Sequence, residues 1–272
     1  MKKTVPLIMW IAFAAVAVTL WLAFDNLFYL LNFLYIGTAV SIGVFLFGRG
    51  DRYARIAVQL AVGLYMLVYL GIISRENVQI EGFWYYLFNG LFQAAVIHYL
   101  VAKIVGPLLF GRGWCGYACW SAMVFDLLPW KTPESPRVKR FGAIRYAVFA
   151  LSLVFTLIVI LLYRESAERI IWYAFIVGNA LYYAVGIALA AALKDNRAFC
   201  KYVCPITVFL KPASYFSLTR IKVDETKCIN CGKCERVCPM NVKMRDPKRS
   251  RENGTECILC FECAKVCPKK AI

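Results

Sequence analysis

The chain has 272 residues, of which 61% are hydrophobic and only 18% charged, with a formal net charge of +16. A soluble domain of this length would carry about a quarter charged residues, so the composition excludes an ordinary soluble globular protein. The basic residues sit on alternate connections between apolar runs rather than in one stripe, which excludes a nucleic-acid binder as well.

Lys2 and Lys3 precede the first apolar run, 5–24. Ala15-Val16-Ala17 could pass for a signal-peptide cleavage site. Cleavage there would strand the apolar stub 18–24, so the run reads as an uncleaved helix. Further runs follow at 27–47, at 56–73, within 83–110, at 141–163 and at 170–193. Each is long enough to span a bilayer, which predicts six transmembrane helices. The connections 1–3, 48–55, 111–140 and 194–222 are rich in Lys and Arg, with Arg49, Arg52 and Arg55 on the second. Those at 25–26, 74–82 and 164–169 together hold three basic and five acidic residues. The positive-inside rule then predicts a multi-pass protein of the inner (cytoplasmic) membrane with both termini in the cytoplasm. Trp21, Tyr69, Trp84, Tyr85, Tyr163, Trp172 and Tyr173 fall where an outer aromatic belt is expected.

The last fifth of the chain carries the chemistry. Cys228, Cys231, Cys234, Cys238 and Pro239 read C-x2-C-x2-C-x3-C-P, and Cys257, Cys260, Cys263, Cys267 and Pro268 repeat it. This is the bacterial [4Fe–4S] run, in which the fourth cysteine of each copy ligates the other cluster. The spacing predicts one cluster on Cys228, Cys231, Cys234 and Cys267, and a second on Cys257, Cys260, Cys263 and Cys238. Zinc knuckles lack the third CxxC step and the crossed fourth ligand. Cluster thiolates need a reducing compartment, which agrees with the cytoplasmic side deduced from charge.

The other four cysteines form two related motifs. Arg112-Gly113-Trp114-Cys115-Gly116-Tyr117-Ala118-Cys119 and Arg197-Ala198-Phe199-Cys200-Lys201-Tyr202-Val203-Cys204 both read R-x-[WF]-C-x-Y-x-C, 85 residues apart. The same shift carries the third run onto the fifth, the fourth onto the sixth, Arg55 onto Arg140 and Asp126 onto Lys211. This predicts a duplicated two-helix unit, with its axis along the membrane normal. The domains expected are 1–55 (two helices), 56–140 (first unit), 141–223 (second unit) and 224–272 (ferredoxin domain). Cysteines at i and i+4 share one face of a helix, so the axis would gather Cys115, Cys119, Cys200 and Cys204. Arg112 and Arg197 would offset their charge, and Asp126 would pair with Lys211. Three readings of the four stay open: a third iron–sulfur cluster, a redox dithiol, or apolar packing.

These residues resemble the NapH and NosR type of membrane polyferredoxin, found with respiratory nitrate and nitrous-oxide reductases. The resemblance runs from the third apolar run to Ile272. Cys200 to Cys204 with Pro205 matches that family's CxxxCP motif, whereas Trp120 stands where the family has proline after the first. The family implies electron exchange between the quinone pool and a redox partner.

His98, the only histidine, lies within the fourth run, and Lys103 follows it. Ionisable groups inside a span are functional suspects, and quinol oxidation needs a proton acceptor. The repeat places Tyr183 opposite His98, with Asn179 one turn away, so His98 and Tyr183 are candidates for a quinone site. The bland alternatives are that His98 satisfies a carbonyl and that Lys103 snorkels to headgroups. The apolar stretch 121–130 is too short to span and reads as a re-entrant or interfacial segment. The 241–256 insert, with Lys243, Arg245, Lys248, Arg249 and Arg251, is either a solvated loop near anionic lipid or a docking patch for an acidic carrier.

The fold class expected is an all-α polytopic membrane domain of six helices with an internal two-helix repeat, followed by a small α+β dicluster ferredoxin domain. The expected function is a membrane electron-transfer component, part of a quinol dehydrogenase, with two [4Fe–4S] clusters, a possible third cluster and a bound quinone. Its partners would be membrane lipid, quinone and a protein electron-transfer partner. The alternative is a redox assembly or maturation factor for a respiratory metalloenzyme, using its clusters and CxxxC thiols.

Overall fold

The structure, a computed structural model, describes residues 4–51, 53–92, 94–244 and 255–272. Arg52 and most of the basic insert, including Arg245, Lys248, Arg249 and Arg251, lie outside the described residues, as do Lys2 and Lys3; Lys243 is described and exposed.

Helices α1 (Val5–Phe24) and α2 (Leu27–Gly48) form an antiparallel hairpin. Asp25, in the left-handed region at φ 47°, ends α1, and the Asn26 side chain caps α2 by accepting from Phe28 N–H at 2.9 Å. Helix α3 (Ala54–Ile73) follows, its end winding more widely as a π-helix over Tyr65–Ile73. Next come α4 (Ile80–Phe88) and α5 (Ala95–Phe110). Two short helices, α6 (Gly113–Tyr117) and α7 (Trp120–Phe125), close the first half.

The second half has two long apolar helices, α8 (Arg140–Leu162) and α9 (Ala167–Leu193). Two short ones, α10 (Ala198–Tyr202) and α11 (Thr207–Tyr215), follow them. The tail holds α12 (Lys233–Arg236) and α13 (Glu262–Lys265).

Among the described residues, five helices, α1, α2, α3, α8 and α9, are long and apolar enough to cross a membrane. The fourth predicted span is not one helix. It breaks after Phe88, where Gly90 takes φ +68°, a conformation that only glycine adopts cheaply. At 1.5 Å per residue α5 reaches about 24 Å, less than the ~30 Å of a bilayer core. The chain nevertheless returns to the side it left. Arg55, at the start of α3, donates to the carbonyl of Gly116, just past α5, at 3.3 Å.

The main apolar core joins Val62, Met66 and Leu70 of α3 to Phe83 and Tyr86 of α4, Tyr99 of α5, Trp120 and Met123 of α7 and Phe175 of α9. The 121–130 stretch is therefore anchored in protein through α7, whose Trp120, Ala122, Met123 and Phe125 are buried. The tail departs from the expected α+β form: among its described residues there is no strand. Asp224 N–H donates to Ala271 O at 2.7 Å, which ties the ends of the tail without building a ladder.

Helix α9 passes α7 at Gly186, where a Cβ would lie 2.1 Å from the Phe125 ring. Gly186→Leu should therefore destabilise the membrane domain by about 1–3 kcal/mol through overpacking. A lowered thermal midpoint in detergent checks this.

Candidate functional site

The four membrane-motif cysteines come from the two halves. Cys115 and Cys200 are buried, and Cys119 and Cys204 partly so. Neither CxxxC motif runs along one helix, contrary to expectation. Ala118 ends α6, and Cys119 is extended at φ −83°, ψ 122°. Val203 ends α10, leaving Cys204 in the turn before α11. In the second motif Pro205 explains the break, because the residue before proline avoids the α region. In the first motif Trp120 stands there instead, yet the turn is kept.

Two buried arginines tie the motifs together reciprocally. Arg197 Nη1 donates to Cys115 O at 3.1 Å, and Arg112 Nη2 donates to Cys200 O at 3.4 Å. Each guanidinium also meets a buried carboxylate. Arg197 grips Asp126 with both edges, Nε to Oδ1 at 2.7 Å and Nη2 to Oδ2 at 2.5 Å, and Arg55 bonds the same carboxylate. Asp126 therefore does not pair with Lys211. Burial alone would raise its pKa, but Arg197 and Arg55 hold the carboxyl below the usual aspartate range.

Arg112 pairs with Glu256 of the tail, which also meets Arg137 at 3.0 Å, Arg145 at 3.4 Å and Lys211 at 3.6 Å. Against the cost of burial, Arg112, Arg137 and Arg145 hold the Glu256 carboxyl down at about 2. Arg140, the counterpart of Arg55 by sequence shift, is exposed; Arg145 reaches the carboxylate. Sequence reasoning missed Glu256, Arg137 and Arg145. The available signal was that Lys211 replaces an acid in the second half.

The tail packs directly on the first motif. Tyr117 Oη donates to Leu259 O at 3.0 Å, and a Cβ on Gly116 would lie 2.3 Å from Ile258 O. On the second motif, Lys201 bonds Asp195 at 2.7 Å and also Asn241. Cys238, Cys257, Cys260 and Cys263 are all buried. Burial first, then the neighbouring Cys260, Cys257 and Cys238, push the Cys263 thiol up to about 12. Cys228, Cys231, Cys234 and Cys267 line one cavity with Val223, Gly232 and Ile272, and Cys231 is exposed.

All twelve cysteines are free, so the chain holds no disulfide frame. Among the described residues no group of His, Cys, Asp and Glu converges as a single-ion site. A cubane takes one thiolate at each of four separate irons, so its ligands surround a volume rather than a point. The donor chemistry fits such a group. Burial pushes the Cys200 thiol up to about 12, with Arg197 opposing and Cys204, Cys119 and Cys115 adding to it. A cationic centre reverses that preference and makes the thiolates stable. Arg112 Nε and Trp114 Nε1, both close in sequence to Cys115, are buried with no hydrogen-bond partner. Sulfur ligands of a cluster accept such bonds.

His98 is buried, its Nε2 without a partner, and its ring centroid is 5.3 Å from Trp114 and 6.3 Å from Trp120. Tyr183 Oη donates to Trp120 O at 3.3 Å, and Asn179 Oδ1 accepts from Trp120 Nε1 at 2.9 Å. The two candidates thus flank Trp120, the residue by which the first motif departs from the family pattern. Lys103 is only 3% exposed, with Nζ 5.4 Å from the Trp114 ring centroid. It does not snorkel outward.

The family comparisons fall on these same segments. A model described as a 4Fe-4S dicluster domain matches residues 220–268. A second, described as a 4Fe-4S binding domain, matches twice, at 94–142 and 171–223. An uncharacterized protein of Methanocaldococcus jannaschii is 28% identical over 56% of this chain and 61% of its own length. The methylamine utilization ferredoxin-type protein MauN of Methylobacillus flagellatus is 26% identical over 56% of this chain and 58% of its own. The ferredoxin-type protein NapH of Haemophilus influenzae is 26% identical over 56% of this chain and 55% of its own. No solved structure matches the chain. With its five apolar helices, the chain is a membrane protein with 4Fe-4S binding domains and a ferredoxin-type tail. In these segments it is similar to ferredoxin-type electron transport proteins such as NapH and MauN. The matched region spans less than two thirds of these relatives' own lengths.

Two substitutions test the site's architecture. Asp126→Asn leaves two guanidiniums without their counter-ion and should destabilise the fold by about 3–5 kcal/mol, read by denaturant unfolding. Gly116→Val drives a side chain into the Ile258 carbonyl and should loosen the tail, read as faster trypsin cleavage between the two parts.

Proposed function

We propose that the chain passes electrons between the quinone pool and a protein redox partner through iron–sulfur clusters held by its cysteines. The observation that carries this reading is the order of the three cysteine sets. The membrane-motif set touches the Cys257–Cys260 loop through Gly116 and Tyr117, and the set that includes Cys231 opens to solvent. When bound, a [4Fe–4S] cluster takes up and gives back one electron.

Cys228, Cys231, Cys234 and Cys267 are the ligands of the outer site, and their shared cavity supports the crossed assignment. Cys257, Cys260, Cys263 and Cys238 are the ligands of the inner tail site. Cys115, Cys119, Cys200 and Cys204 are the ligands of a third site. The match of the 4Fe-4S binding domain model to both membrane motifs supports that third site, as do the unpartnered donors beside Cys115. The reciprocal bonds of Arg112 and Arg197 and the doubled family match support the internal two-helix repeat. On this reading α4 and α5 together are the sixth, broken crossing. The units are 56–140 and 141–223, preceded by the helices of 1–55 and followed by the ferredoxin domain 224–272.

The quinone site lies at the seam around Trp120. His98 Nε2 is there to take a proton or a hydrogen bond, and Tyr183 marks the opposite half. Lys/Arg-rich connections on the cysteine side put that face in the cytoplasm of a cell with this protein in its inner membrane. Lys233, Arg236, Lys269 and Lys270 are exposed on the elements that carry the outer set, which suits an acidic face on the redox partner.

An anaerobic iron and sulfide count, with EPR during reduction by a short-chain quinol, tests the reading. The expected result is about twelve irons per chain, falling to about eight when Cys115, Cys119, Cys200 and Cys204 are all changed to Ala. Quinol should reduce the tail of the parent protein and not of that variant. About eight irons in both, with quinol still reducing the tail, would sink the membrane site.

A further inference from the structure

Two carboxylates neutralise the two motif arginines, and they come from different places. Asp126, which meets Arg197 and Arg55, belongs to the membrane domain's first half. Its counterpart under the 85-residue shift is Lys211, a cation. The second half thus carries no acid at the equivalent position. Its place beside Arg112 is filled by Glu256, which arrives from the tail and lies 3.6 Å from Lys211 Nζ.

We propose that Glu256 is a cross-domain positioning residue. It completes the second half of the membrane site and thereby seats the ferredoxin tail on it. The inference rests on the repeat reading, because that shift equates position 211 with Asp126.

The electrostatics give the seat its strength. Arg112 and Arg145 are 1% and 2% exposed, so their charges are almost wholly out of water. With Arg137 and Lys211 they make four cations around one carboxylate, and Arg145 Nε and Nη2 remain without partners even so. Removing the carboxylate leaves four mutually repelling cations, of which Arg112 and Arg145 have almost no water to screen them. Glu256 immediately precedes Cys257, and the next contacts of the same loop are the Ile258 carbonyl at Gly116 and the Leu259 carbonyl at Tyr117. One short stretch therefore fixes the inner tail cysteines against the first membrane motif.

The experiment uses the full chain in detergent, with iron counted first and hydrogen exchange followed at amides 256–260 and 115–118. Glu256→Gln should raise exchange in both stretches by about tenfold or more while amides around Cys228 to Cys234 keep their protection. Adding Lys211→Asp to that variant puts a carboxylate at the position equivalent to Asp126. It should bring exchange back to within about threefold of the parent. If Glu256→Gln does not fold alone, recovery of folded, iron-loaded protein in the double variant is the same result. Unchanged exchange in Glu256→Gln overturns the proposal, and so does a double variant no better than the single one. Because the readout is amide protection, an iron count that removed the third cluster would leave this test standing, and a failure here would leave the relay standing.

Discussion

Burying an arginine inside a membrane protein is tolerable only if its charge and its donors are answered on the spot. Among the described residues three arginines, Arg112, Arg145 and Arg197, are almost wholly buried, and two of them, Arg112 and Arg197, each reach across to the opposite membrane motif. Each of these two guanidiniums reaches the carbonyl of the opposite motif's first cysteine and a carboxylate beyond it. The halves cannot slide or separate without stranding both charges. The short helices α6, α7, α10 and α11 are held in place by this exchange as well as by the apolar core around Trp120 and Met123.

That lattice also fixes where the tail lies. The first motif presents glycine where the second presents lysine, and this difference decides the docking. Gly116 lets the Ile258 backbone approach closely, while Lys201 turns to Asp195 and Asn241. The two motifs are alike in their crossed arginine bonds and unlike in what they offer a neighbour, and the tail docks on the difference. Cys238, Cys257, Cys260 and Cys263 are all buried, whereas Cys119 and Cys204 of the membrane motifs are partly so and Cys231 is exposed.

The parts legible in the sequence were those whose chemistry is local. Ligand spacing is read within a few residues, so the eight tail cysteines of the dicluster domain were visible, as were the two membrane motifs and their arginines. Long apolar runs marked five helices well. The break falls on an Asn-Gly pair, a turn signal that the largely apolar residues on both sides overrode in the reading of one continuous span. The helix ends between Cys115 and Cys119 were hidden for another reason: nothing local forbids a helix at Trp120. Partner choice was the least legible. Asp126 was expected to pair with Lys211, but a bidentate arginine offers a better geometry than a lysine. Glu256 sits far from Arg112 in sequence, and only the fold brings them together.

The graded exposure of the cysteines has a bearing on wear. Reactivity of sulfur toward oxidants follows access, and Cys231 is the one tail cysteine fully open to water. Oxygen or peroxide arriving from solvent therefore meets the outer set first, with the inner tail set shielded behind it. Damage therefore begins at Cys231, and the four buried sulfurs of Cys238, Cys257, Cys260 and Cys263 are the best shielded.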